Sequence, residues 1–200
     1  MPRPELQSNT KYTYQDYLKW PDDERWEIIH GVAYAMFPAP SYRHQSLSRD
    51  LEFLFHTYLK DKAGCEIFDA PFDVRFPHPL GQLNDSDSSD TVVQPDLLVV
   101  CDPEKLTEKG CVGAPDLIVE ILSPGSVHRD LNEKYALYQD QGVKEYWIVY
   151  PDENIIDIHF FNDKTGLYDE KISYKQKDSI ECRLLEGLTI PLTDVFQSME

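Results

Sequence analysis

Two carboxylates stand where apolar strands should not hold them. Gln94-Pro95-Asp96-Leu97-Leu98-Val99-Val100 and Pro115-Asp116-Leu117-Ile118-Val119-Glu120-Ile121-Leu122-Ser123-Pro124 are almost continuously apolar and bounded by Pro, Asp or Gly. Each therefore reads as a short strand buried on both faces. Asp96 opens the first and Glu120 lies inside the second. The linker from Cys101 to Ala114 carries Pro103, Gly110 and Gly113, which lets the strands return on each other as an antiparallel pair. The start of the first then lies beside the end of the second, and Asp96 and Glu120 come together. Two carboxylates in a poorly solvated place repel, and one stays protonated unless a cation lies between them. A hard divalent ion with oxygen ligands resolves the conflict.

A fixed cation follows in the chain. Asp130-Leu131-Asn132-Glu133 has the pattern of a helix start, with Asp130 as N-cap and Glu133 three residues on, and Gly142 is the expected stop. Leu131, Lys134 and Tyr138 recur at i, i+3, i+7, so Lys134 lies on the stripe that faces the sheet. There it either meets the carboxylates or extends its ammonium to water. Each residue has a structural alternative: Glu120 as partner of a buried base, Lys134 as a solvated helix residue, Tyr138 as a core aromatic. The two carboxylates and the lysine in one strand–strand–helix unit point instead to a site.

Further elements must hold this unit. Thr13 caps a short helix that Pro21 ends, and Arg25 to Met36 reads as a hairpin turning at His30-Gly31. Glu27 stands in that hairpin between Trp26 and Ile28, and alternation alone makes it an outward-facing position. Ser41 to Lys60 is the best amphipathic helix, with Leu47, Leu51, Leu54, Phe55 and Tyr58 as its stripe. His44, in its first turn, reads as a packed, hydrogen-bonded residue rather than a ligand. Cys65 to Phe76 reads as a strand pair or bent strand, and Gln82 to Asp90 as a polar loop able to act as a lid. Strands at Glu145–Tyr150, Ile155–Phe161, Lys171–Tyr174 and Ile180–Leu185 follow, then a terminal turn at Pro191–Phe196. The order of elements gives an α/β fold with a mixed sheet flanked by helices, expected as a single domain over residues 1–200.

The 19 basic and 36 acidic residues leave a net charge of −17, which repels phosphate at long range and makes any nucleic-acid contact depend on local charge. No window approaches the roughly 20 apolar residues of a membrane span. The first ten residues lack the apolar centre of a secretory signal. Cys65, Cys101, Cys111 and Cys182 show no Cys-x-x-Cys spacing and are read as reduced thiols of a cytoplasmic protein.

Several stretches resemble the bacterial Uma-two family of the PD-(D/E)xK, restriction-endonuclease-like superfamily. They are Gln94-Pro95-Asp96, Gly113 to Pro124, Lys134-Tyr135-Ala136-Leu137-Tyr138 and Gly142 to Val149, with Trp26-Glu27-Ile28-Ile29-His30-Gly31 and the closing Gly187 to Phe196. The resemblance implies a restriction-endonuclease-like mixed sheet flanked by helices. It matches Asp96 to the PD aspartate, Glu120 to the acidic residue of (D/E)xK, and Glu27 to a family carboxylate near the same metal. Leu122 stands where the superfamily lysine would be, and Lys134 is the matching candidate on the following helix. The implied activity is a magnesium- or manganese-dependent endonuclease acting on DNA as a homodimer. Asp96, Glu120 and the Ile121 carbonyl would be the metal ligands, with Lys134 and Glu27 completing the catalytic set. The alternative is a catalytically degenerate, homodimeric binding protein, which Leu122 and the negative charge favour. A small-molecule hydrolase is the less favoured rival, since Gly-x-Ser-x-Gly, His-Glu-x-x-His and Gly-rich phosphate loops are all missing from the sequence.

Overall fold

The computed structural model describes residues 10–21, 24–36, 39–62, 64–77 and 88–197. Its centre is a six-stranded mixed sheet. β6 (Leu97–Val100) and β9 (Leu117–Ile121) pair antiparallel, Leu97 opposite Val119 and Val99 opposite Leu117. β3 (Glu66–Asp69) flanks β6 on one side. β10 (Glu145–Tyr150) runs parallel to β9 on the other, followed by antiparallel β11 (Ile155–Asn162) and β12 (Leu167–Lys175). The parallel β9–β10 step needs a crossover, and Val127–Gln141 supplies it as α3 (Val127–Arg129), a π-helical turn (Asp130–Lys134) and α4 (Tyr135–Gln141). Gly142 ends the crossover in the left-handed region at φ 75°.

A second six-stranded sheet lies against the first. In spatial order it contains β2 (Val32–Ala35), β1 (Trp26–Ile29), β5 (Val92–Val93), β4 (Val74–Arg75), β8 (Gly110–Val112) and β7 (Leu106–Thr107). The β1–β2 hairpin turns at His30 and Gly31, both at positive φ (50° and 78°), as a two-residue turn matched to strand twist requires. The Cys65–Phe76 stretch divides between the sheets, β3 going to the central one and β4 to the second. Of the Gln82–Asp90 loop, all but the last three residues lie outside the described residues. Ser89 is buried, with its hydroxyl within hydrogen-bond reach of the Phe76 and Thr91 carbonyls, which share its one proton.

Strand alternation sorts the core into two layers. After the short α1 (Tyr14–Tyr17) comes α2 (Tyr42–Leu59), which covers Leu97, Val99, Leu117, Val119, Ile121, Trp147 and Val149 with a buried stripe of Leu47, Leu51, Phe55 and Leu59. Ser41 caps α2 by accepting the His44 N–H at 3.2 Å. The same layer takes in β13 (Ser179–Glu181), β14 (Thr189–Pro191) and α5 (Leu192–Val195). On the opposite face Leu98, Val100, Ile118, Leu122, Tyr146 and Ile148 pack against the second sheet and against Leu137 and Tyr138 of α4. Among the described residues no helix is long and apolar enough to cross a membrane.

The cysteines correct the sequence reading. Cys65 and Cys101 form a disulfide, because each lies one step beyond the register pair Glu66–Val100 of β3 and β6. Sequence spacing gives no hint of that register. Cys111 and Cys182 are free and buried, and burial pushes their thiols up to about 11 and about 12. Thiol titration of urea-denatured, unreduced protein is therefore expected to count the two free thiols, and all four cysteines only after reductant. Four without reductant would contradict the bond.

Candidate active site

Two Pro-Asp pairs close the two ends of the β6–β9 ladder. Beyond Leu97–Val119 the backbone pairing ends, and the Ile121 N–H donates instead to Oδ2 of Asp96 at 2.8 Å. At the other end the Cys101 N–H donates to Oδ2 of Asp116 at 2.7 Å. Each aspartate thus satisfies a strand-end amide that would otherwise be left unpaired in a partly buried setting. Asp96 differs in its surroundings. The Nε2 of His44 lies 3.1 Å from Oδ2, bringing in the first turn of α2. Burial works to lower the His44 pKa, but the hydrogen bond and charge of Asp96 outweigh it and raise the group above its ordinary value.

Glu120 follows Val119 on the strand beside Asp96, and its side chain shares the sheet face of Ile118 and Leu122. There it meets the crossover helix. The Lys134 ammonium lies 2.8 Å from Oε1, and the Tyr138 hydroxyl donates to the same oxygen at 2.7 Å. Lys134 and Tyr138 are four residues apart and reach one atom from successive turns. Leu122 packs in the apolar layer with Leu137 and Tyr138.

Glu27 is fully buried, which corrects its outward-facing assignment. Alternation does separate it from Trp26 and Ile28, which pack with Trp20 and Ala33. The opposite face, however, is covered by the crossover helix. Oε1 of Glu27 accepts the Gln94 N–H at 3.0 Å and lies 2.8 Å from the Lys134 ammonium, while Oε2 lies 3.2 Å from Arg129. Gln94 joins β5 of the second sheet to Asp96, so Glu27 ties both sheets and the helix together. Arg129 also stands over the Tyr34 ring at 4.7 Å.

Asp130 is not an N-cap. The helix begins a turn earlier at Val127, and Asp130 lies inside it, 1% exposed, with Oδ1 3.7 Å from the Lys134 ammonium. Reading it as a cap hid the signal that would have found it: Asp130, Lys134 and Tyr138 recur every four residues and share a face. Arg129 carried no signal of its own, and Gln94 entered only as the residue before Pro95-Asp96.

Electrostatics follow from burial. Burial pushes the Glu120 carboxyl well above its ordinary range; Lys134 opposes this, while Asp130, Asp96 and Glu27 add to it. Burial raises Asp130 too, against the pull of Lys134 and Ser126. For Lys134 burial disfavours the charge, but Glu120, Glu27 and Asp130 together raise it above its ordinary 10.5. The lysine therefore keeps its proton at neutral pH and acts as a fixed charge, while the carboxylates around it compete for ionisation.

A divalent cation fits this donor set in part. The hydrogen bonds made to Asp96 and Glu120 fall on Oδ2 and Oε1, and among the described residues Oδ1 and Oε2 accept none. Carboxylate oxygens with open lone pairs are the hard donors that magnesium takes, with water and phosphate completing its shell. Among the described residues no three Asp, Glu, His or Cys are already gathered as a metal cage.

The chain belongs to the Uma2 family, described as "Putative restriction endonuclease", which matches residues 14–193. It is similar in fold to a solved structure from Anabaena variabilis, described as "a putative nuclease belonging to DUF820". That likeness has a TM-score of 0.71 and 18% identity, over 92% of this chain and 97% of that one. It is also 26% identical to an uncharacterized Synechocystis protein, slr1290, across 94% of this chain and 93% of that protein.

Removing the lysine charge tests the electrostatics. Lys134→Met leaves Glu120, Glu27 and Asp130 without their shared cation, and the expected loss of stability is about 3–5 kcal/mol at pH 8. The loss shrinks toward pH 5. Glu120 and Asp130 have raised folded-state pKa values, so what they withhold from stability grows as pH climbs from their unfolded values through the folded ones. Lys134, raised in the folded state, stays protonated across this window, so the pH dependence comes from the carboxylates that lose its charge in the variant. Urea denaturation of both proteins at pH 5, 6.5 and 8 measures the difference. A loss independent of pH would contradict this proton balance.

Proposed function

We propose that this protein is a metal-dependent DNA endonuclease. The observation that carries the reading is the contact of Lys134 with Glu120 at 2.8 Å, next to Asp96 at the end of the same strand pair, in a chain of the Uma2 family. Lysine from the helix supplies the charge that Leu122 cannot.

Asp96, Glu120 and the Ile121 carbonyl would hold magnesium or manganese. When bound, that ion supplies a positive charge that polarises the scissile phosphate and lowers the pKa of a water. Lys134, protonated throughout, stabilises negative charge developing on the phosphate and does not act as a base. Tyr138 keeps its hydroxyl proton, since burial and the charge of Glu120 raise it well above its ordinary value, and it orients the Glu120 carboxylate. Glu27 fixes the ammonium against the second sheet and steadies Arg129, whose side chain is 18% exposed and stands ready to meet a phosphate. His44 and the Ile121 N–H hold the Asp96 carboxylate in one orientation.

A second reading, a homodimeric binding protein without catalysis, is favoured by two observations. Glu27 is saturated by Gln94, Lys134 and Arg129, and the net charge is −17. Nicking of supercoiled plasmid in magnesium or manganese separates the two. The wild type is expected to nick and to stop on chelation, with Glu120→Ala slower by about 100-fold or more. Metal-independent nicking, or a rate unchanged in Glu120→Ala, would overturn the nuclease site. No nicking with either metal, together with a dimer on sedimentation, would leave the binding reading.

A further inference from the structure

Asp130 presents an unusual combination for a buried carboxylate. Its side chain is 2% exposed and lies inside the π-helical turn four residues before Lys134. Its Oδ1 is buried and accepts no hydrogen bond among the described residues. An oxygen so placed forfeits hydration without replacing it, which is costly. The nearby cation stands 3.7 Å away, too far for a hydrogen bond, because the ammonium is drawn to Glu27 and Glu120 at 2.8 Å each. The π turn puts Asp130 and Lys134 on the same buried face, and such turns recur at functional sites.

Lys134 and a divalent cation compete for Glu120. The ammonium already occupies Oε1, and a second positive charge arriving at the same carboxylate repels it. Glu27 cannot take up all the slack, since its oxygens also serve Gln94 and Arg129. We propose that Asp130 is a positioning residue: its unpartnered Oδ1 receives the Lys134 ammonium when a divalent cation claims Glu120. The lysine then moves by about one ångström and stays within the site, aimed at the phosphate rather than expelled from it. Asp130 acts through Lys134 and is not a ligand of the ion. This rests on the nuclease reading above, because it needs the ion to bind at Glu120.

The test measures manganese binding rather than cleavage. Titration calorimetry compares wild type, Asp130→Asn, Lys134→Met and the double variant, each without DNA. Asp130→Asn is expected to weaken manganese binding by about tenfold more when Lys134 is present than in the Lys134→Met background. Equal weakening in both backgrounds would make Asp130 a ligand or a bystander charge and overturn the proposal, as would no weakening. Because Lys134→Met alone disturbs a buried charge network, wild-type crystals with and without manganese give an independent reading. The Lys134–Asp130 distance of 3.7 Å should contract to about 2.7–2.9 Å with the ion bound. Manganese on Glu120 with the ammonium unmoved would defeat this proposal alone. Failure of manganese to bind at Glu120 would defeat the nuclease reading and this proposal with it.

Discussion

The structure depends on one buried ammonium. Lys134 is 3% exposed, and a charge taken that far from water is tolerated only where opposite charges surround it. Its partners come from three places: Glu27 from the second sheet, Glu120 from the central sheet, and Asp130 from its own helix. Keeping them together fixes the crossover helix against the seam where β5 passes into β6. Buried ion pairs are poor devices for stability, since well-packed apolar groups of similar volume often do as well or better. A chain that holds a lysine and three carboxylates in its core, beside apolar layers of Leu, Ile and Val, does so at a cost in stability.

The paired Pro-Asp sequences bear on how such a site forms. Asp96 and Asp116 perform the same backbone task at opposite ends of β6 and β9, each receiving an amide just past the last paired residues of the ladder. Proline before each aspartate removes a donor and ends the ladder there. The two ends differ in what surrounds them: Asp96 meets His44, whereas the Asp116 end is bordered by the Cys65–Cys101 bond.

Much of this was legible in the residues. The apolar runs gave β6 and β9 and their antiparallel return, because a strand buried on both faces leaves a composition that a loop does not. The stripe of Leu47, Leu51 and Phe55 gave α2, and Lys134 fell on the sheet-facing side of its helix by spacing alone. What escaped depended on contacts distant in sequence. Alternation told which face Glu27 shares but not that a helix covers that face. The Asp130 cap reading used a local rule that holds only if the helix starts there, and it starts at Val127. The Cys65–Cys101 bond followed from the register of β3 on β6, and the division into two sheets from pairings that no local pattern encodes.

The most direct test of the account asks whether Glu120 binds a divalent ion in the folded protein. Scanning calorimetry of wild type and Glu120→Gln, each with and without manganese, answers this without knowledge of the DNA. An ion that binds only the folded state stabilises it by mass action, by about 2.7 kcal/mol at 100 times its dissociation constant. The wild-type melting temperature should rise with manganese, and the rise should be much reduced in Glu120→Gln, which keeps the shape but removes the charge. A response equal in both proteins, or none in the wild type, would contradict the account and leave Glu120 as the structural partner of Lys134.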